Sequence, residues 1–114
     1  MANDYGLATL KEPASPISEA YRTLRMNLQF AALDAKLRSL LVTSPGPGEG
    51  KSTTLANLAV TMAQVDQRVI VVDADLRRPY LHQLFGLPAD QGLTTMMLED
   101  SALADPPLQD TAVP

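Results

Sequence analysis

Residues 44–53 read SPGPGEGKST, and no other stretch restricts the fold of this chain as much. Gly46, Gly48 and Gly50 alternate through the turn, and Gly50-Lys51-Ser52 closes it. Alternating glycines let the backbone turn tightly and approach a ligand closely. Between a strand and a helix, such a turn wraps backbone N–H groups around a phosphate chain. The flanks supply both elements. Residues 39–43, SLLVT, are a short apolar run, and after Lys51 the residues Leu55, Leu58, Ala59 and Met62 recur at helical spacing. The general pattern is G-x-x-x-x-G-K-[ST], and here Pro45 stands in its first position. The G-x-G-x-x-G spacing of a dinucleotide fold is absent.

A second apolar run, RVIVVD at 68–73, has the β-branched composition of a strand covered on both faces. Strand, turn, helix 51–64 and strand make a βαβ unit, so 39–43 and 68–73 are expected as adjacent parallel strands. The fold class that follows is α/β, a parallel sheet flanked by helices. Asp73 and Asp75 then lie at the carboxyl end of the second strand, where open α/β sheets place their ligands. A phosphate cradle backed by two carboxylates describes a site for ATP with Mg²⁺. Gly46, Pro47, Gly48, Glu49 and Gly50 supply its backbone. Lys51 is expected at the β- and γ-phosphates, Ser52 at the metal, and Thr53 on an α- or β-phosphate. Of Asp73 and Asp75, one is expected to hold the metal through water and the other to orient a nucleophile. The competing reading is that a carboxylate caps the turn that follows. Arg77 and Arg78 come next, suited to phosphate, to a neighbouring subunit's carboxylates, or to solvent.

The remainder divides into an irregular leader, 1–14, and an irregular proline-rich end, 105–114, around a domain at 15–104. Ser15-Pro16 reads as an N-cap and first-turn proline, opening a helix to about Asp34 with a stripe of Ile17, Tyr21, Leu24, Leu28 and Ala31. Short helices are expected at 80–85, closed by Gly86, and at 92–99. The formal net charge of −4 argues against nucleic acid as a partner, and all nine Lys and Arg lie at or before Arg78. Cysteine is absent, so disulfides and Cys-bound metals are excluded. No apolar run approaches the ~18 residues of a membrane span, and the N-terminus lacks a signal-peptide core. The expected location is cytoplasmic, with any membrane association through a partner.

SPGPGEGKST together with VVDADLRRP resembles the bacterial tyrosine kinases, a P-loop family that phosphorylates its own tyrosines and accompanies capsule and exopolysaccharide export. SPISEAYRTLRMNLQF and FGLPADQGLTTMML resemble that family's segments before the first strand and after the second aspartate motif. The resemblance implies an oligomer interface at Glu19, Arg22 and Arg25, which match an E-x-x-R-x-x-R motif. It also implies catalytic roles for Lys51, Asp73 and Asp75, a ring-like homo-oligomer, and a membrane-embedded activator of polysaccharide co-polymerase type. The family's third nucleotide motif and its tyrosine-rich tail have no counterpart here, so the chain reads as the N-terminal portion of such a kinase domain. Two further readings stay open: a partitioning-type P-loop ATPase switch, and a non-catalytic nucleotide-binding module. Against the first, its extra loop lysine would fall at Gly46.

Overall fold

Helix starts and stops follow the local chemistry of the chain. The computed structural model describes residues 7–32, 37–46, 48 and 50–88. Among these, four helices run in chain order: α1 (Ala8–Lys11), α2 (Pro16–Ala31), α3 (Lys51–Ala63) and α4 (Leu81–Leu84). Ser15 caps α2, its Oγ accepting the Ser18 N–H at 3.2 Å, and Pro16 occupies the first turn. Asp66 ends α3 from the left-handed region at φ 63°, while the Gln67 N–H reaches back to the Met62 carbonyl at 3.3 Å. Gly86, at φ 66°, closes α4 as expected, and the Leu87 N–H donates to the His82 carbonyl at 2.8 Å.

The core forms around α3. Leu7, Ala56, Val60, Leu81 and Leu84 are buried together, with Leu10, Leu55, Val71 and Phe85 packed against them. α1 and α2 cover one side of α3, and α4 covers another. Six consecutive residues of α3, Ala56–Thr61, are therefore buried. That is broader than the single sheet-facing stripe expected. The supposed leader also takes part, since Leu7 is only 1% exposed and α1 forms within it. Of the expected stripe on α2, Tyr21 and Leu28 turn inward beside Ser18, Arg22 and Arg25, while Ile17, Leu24 and Ala31 stay exposed.

The paired strands expected at 39–43 and 68–73 are not formed among the described residues, where no segment is a strand. Both segments nevertheless carry a strand's period of two. Burial alternates residue by residue from Leu41 to Gly46 and again from Ile70 to Leu76. Val71 packs on the core while Leu41, Ile70 and Val72 are 85%, 68% and 57% exposed. Coverage on both faces is thus corrected to coverage on one. The physical reason lies in the backbone: a ladder needs N–H and C=O groups exchanged between the segments, and no such bond joins them here. The expected helix at 92–99, the end at 105–114 and the last residues of the helix to Asp34 lie outside the described residues.

Candidate functional site

Gly50 is the N-cap of α3, with φ 82° and ψ 12°, and Gly48 has φ 72°. A methyl group placed on either would meet nothing within 4 Å, so the torsion angle and not crowding selects glycine. No side chain caps this helix end. The first helical bond runs from the Thr54 N–H to the Gly50 carbonyl at 2.9 Å, leaving the N–H groups of Lys51, Ser52 and Thr53 for an incoming acceptor. Ser44 braces the entry to the turn, its Oγ donating to the Gly46 carbonyl at 2.8 Å. Pro47 and Glu49 lie outside the described residues. Beside the helix end is a cleft of about 380 Å³, lined by Val42, Lys51, Ser52, Leu55, Val72, Asp73 and Asp75 among others. Lys51, Ser52 and both aspartates therefore meet in one place, while Gly46, Gly48 and Gly50 are not among the residues that line the cleft. Thr53 is not in the cleft lining; its carbonyl accepts the Asn57 Nδ2–H at 2.9 Å.

The two carboxylates differ in what they already hold. Asp73 Oδ1 accepts the Asp75 N–H at 3.1 Å, and Oδ2 accepts the N–H groups of Tyr80 and Leu81 at 2.9 and 3.1 Å. It thereby caps the start of α4 across seven residues of chain. Asp75 Oδ1 accepts the Arg78 N–H at 3.0 Å, and Oδ2 faces Lys51 Nζ at 3.8 Å. The Arg78 amide above all holds the Asp75 carboxyl below its ordinary range; desolvation opposes it next in size, and the Lys51 ammonium adds to the lowering. Both aspartates thus perform the turn-capping role that the sequence had left as the competing reading, and Asp75 keeps one oxygen toward the cleft.

The site suits phosphate: open N–H groups, an ammonium and space coincide. For a divalent cation the donor set is leaner. No cluster of three or more His, Cys, Asp or Glu suited to a metal occurs among the described residues. Ser52 and Asp75 fit a Mg²⁺ that takes most of its oxygens from phosphate and water. Asp73, with both oxygens on backbone amides, fits less well as a direct ligand.

The trio on α2 separates in space. Glu19 accepts from Arg22 at 2.8 Å, and the Glu19 side chain is 68% exposed. Arg25 instead points at α3: its Nη1 donates to the Thr61 carbonyl at 3.2 Å, and its Nε is buried without a partner. Thr61 lies in the last turn of α3, where carbonyls lack helical partners and a cation is favoured. Two residues with a bearing on the site had not been singled out, Thr9 and Asn57. Asn57 interrupts the apolar run LANLAV, and a polar residue inside a buried helix needs a partner, which was the available signal.

Residues 40–99, slightly more than half the chain, match the CobQ/CobB/MinD/ParA nucleotide binding domain, and the chain belongs to this nucleotide-binding, P-loop family. Within it, the relatives are named as bacterial tyrosine-protein kinases. Tyrosine-protein kinase YwqD of Bacillus subtilis (strain 168) is 49% identical over 94 residues, which is 82% of this chain and 40% of that protein. The putative tyrosine-protein kinase CapB of Staphylococcus aureus is 37% identical over 94 residues, 82% of this chain and 41% of that protein. Tyrosine-protein kinase etk of Escherichia coli (strain K12) is 42% identical over 82 residues, 72% of this chain and 11% of that protein. A crystal structure of the chimerical protein CapA2B2 superposes with a TM-score of 0.85 at 41% identity, over 94% of this chain and 46% of that one. The chain spans less than half the length of these relatives. The resemblance read from the two motifs stands with these matches.

Proposed function

We propose that this chain binds ATP with Mg²⁺ and supplies the phosphate-binding part of a tyrosine autokinase acting in capsule or exopolysaccharide production. The observation that carries this reading is the convergence, at one cleft, of an uncapped helix start behind left-handed glycines with Lys51, Ser52 and Asp75. The N–H groups of residues 51–53 and the positive end of α3 receive phosphate oxygens. The Lys51 ammonium exchanges its Asp75 partner for the β- and γ-phosphates, and the released Asp75 oxygen and the Ser52 hydroxyl face the metal. Mg²⁺, when bound, neutralises charge on the transferring group. Asp73 holds the loop at 75–80 in place through its three amides. The sheet of the complete fold joins 39–43 to 68–73, whose period-two burial suits it. A ring-like homo-oligomer, a membrane-embedded activator and a cytoplasmic location belong to the same reading, supported by the resemblance and by the names of the relatives. Among the described residues no helix is long and apolar enough to cross a membrane.

Titration calorimetry with Mg-ATP tests the binding step, and incubation with Mg-ATP followed by phosphotyrosine detection tests the transfer. Saturable binding that Lys51→Met weakens about 100-fold is expected. An affinity unchanged by that substitution would remove the loop from the function. Binding without phosphotyrosine would favour a nucleotide-binding module over a kinase.

A further inference from the structure

The polar bonds between α1 and α3 are the least expected feature of the interior. Thr9 is fully buried and Asn57 is 1% exposed. Asn57 Oδ1 accepts both the Thr9 N–H at 3.1 Å and the Thr9 Oγ1–H at 2.7 Å. The amide side of Asn57 donates to the Thr53 carbonyl at 2.9 Å. Gln64 Nε2 contacts the Thr9 carbonyl at 3.4 Å. One side chain therefore joins the N-terminal turn to the first turn of the helix that opens at the phosphate loop. Leu7 seats the same turn in the core beside Ala56 and Val60. Ser18 Oγ fixes its other end, against the Glu12 carbonyl at 2.6 Å.

We propose that Thr9 and Asn57 are positioning residues for the phosphate loop: the segment around Leu7–Lys11 latches onto α3 and fixes the turn from which the loop's N–H groups project. The reasoning is geometric. The Thr53 carbonyl shares a peptide plane with the Thr54 N–H, which itself donates to the Gly50 carbonyl at 2.9 Å, so holding that oxygen steadies the first helical turn that carries the N–H groups of 51–53. Both donors of Thr9 meet one acceptor in a site closed to water. No solvent molecule replaces a lost donor, so Thr9→Val, which removes the Oγ1–H and leaves the backbone N–H, holds the Asn57 amide less firmly. The proposal rests on the nucleotide reading for its functional consequence, though the latch itself is a property of the free chain.

The experiment compares Thr9→Val, which keeps shape and loses the hydroxyl, with Thr9→Ser, which keeps both donors. Amide hydrogen exchange is read on the nucleotide-free chain under conditions where each variant is folded. Thr9→Val should speed exchange across 48–57 by about fivefold, the effect of one buried hydrogen bond, with α4 unchanged and Thr9→Ser like the parent. Equal rates in parent and Thr9→Val, or acceleration spread evenly over every element, would overturn the latch. Calorimetry with Mg-ATP gives the second arm. If the parent binds, Thr9→Val should bind about fivefold more weakly, and equal affinities would refute the positioning role. If the parent does not bind, the nucleotide reading falls, and the exchange result alone decides whether the latch exists.

Discussion

α3 and the two segments with strand patterning, 41–46 and 70–76, are built from similarly apolar sequence and reach opposite states. Along α3 six successive residues are buried, and buried Asn57 and Thr61 both have hydrogen-bond partners. Along the segments only alternate residues are covered, while Leu41, Ile70 and Val72 face outward. The difference lies in where each conformation finds its backbone partners. A helix satisfies its N–H and C=O groups within itself, so side-chain packing from two directions completes it. A strand borrows every partner from a neighbour, so side-chain alternation alone does not satisfy its backbone. The site straddles this boundary: its N–H donors come from the helix, and its carboxylates come from a segment held by Val71 in the core, by amide contacts and by Lys51.

The sharpest way to break the comparison is to make the same kind of truncation on each side of it. Leu58→Ala, in the middle of α3, should cost about 3 kcal/mol in urea denaturation, because surrounding helices leave a cavity that cannot collapse fully. Next in size is Lys51→Met. Its Mg-ATP affinity should fall about 100-fold, or ~2.7 kcal/mol, with the thermal midpoint nearly unchanged. Gly50→Ala should cost about 1–2 kcal/mol, since its φ of 82° penalises any Cβ even in open space. Ile70→Ala should shift stability by less than ~0.5 kcal/mol, and a cost like that of Leu58→Ala would show a partner face already in place.

The smallest effect is a pH dependence. The Arg78 amide and Lys51 keep the folded-state pKa of Asp75 below its ordinary 3.8. The unfolded chain then binds this proton more tightly than the folded one, so the contribution is present above that value and is lost as pH falls through the folded-state pKa. Asp75→Asn should therefore melt slightly below the parent at neutral pH and converge with it as pH falls through the folded-state pKa of Asp75. A gap that widens on acidification would show that Asp75 is not held as a carboxylate.

Legibility tracked the range of the interactions. Ser15-Pro16, Gly50 and Gly86 act within a few residues, and each could be read at its boundary. The meeting of Lys51, Ser52, Asp73 and Asp75 was legible because both motifs sit at ends of elements that a βαβ order brings together. Arg25 was not, since its spacing with Glu19 and Arg22 says that the three are neighbours on α2 but not which side of that helix packs. The inward side proved to be the one with Ser18, because α1 crosses there and Ser18 Oγ contacts the Ala8 and Glu12 carbonyls. Asp73 was read as a metal-site residue because nothing local announces that amides at 80 and 81 return to it. Thr9 was invisible for the same reason, its partner being far along the chain.

The separation between Thr9 and Asn57 also orders events during synthesis. The two residues are 48 positions apart, so at translation rates of about 5–20 residues per second Thr9 is joined to the chain roughly 2–10 s before its acceptor is. For that interval the segment around Leu7 lacks α3 and has only α2 to settle on. α2, whose capping Ser15 is already present, can form first. Closing a loop of this length then occurs in one late step, when α3 emerges and gathers the N-terminal turn against it. The phosphate loop, at the head of that helix, acquires its geometry only as this earlier-made segment docks.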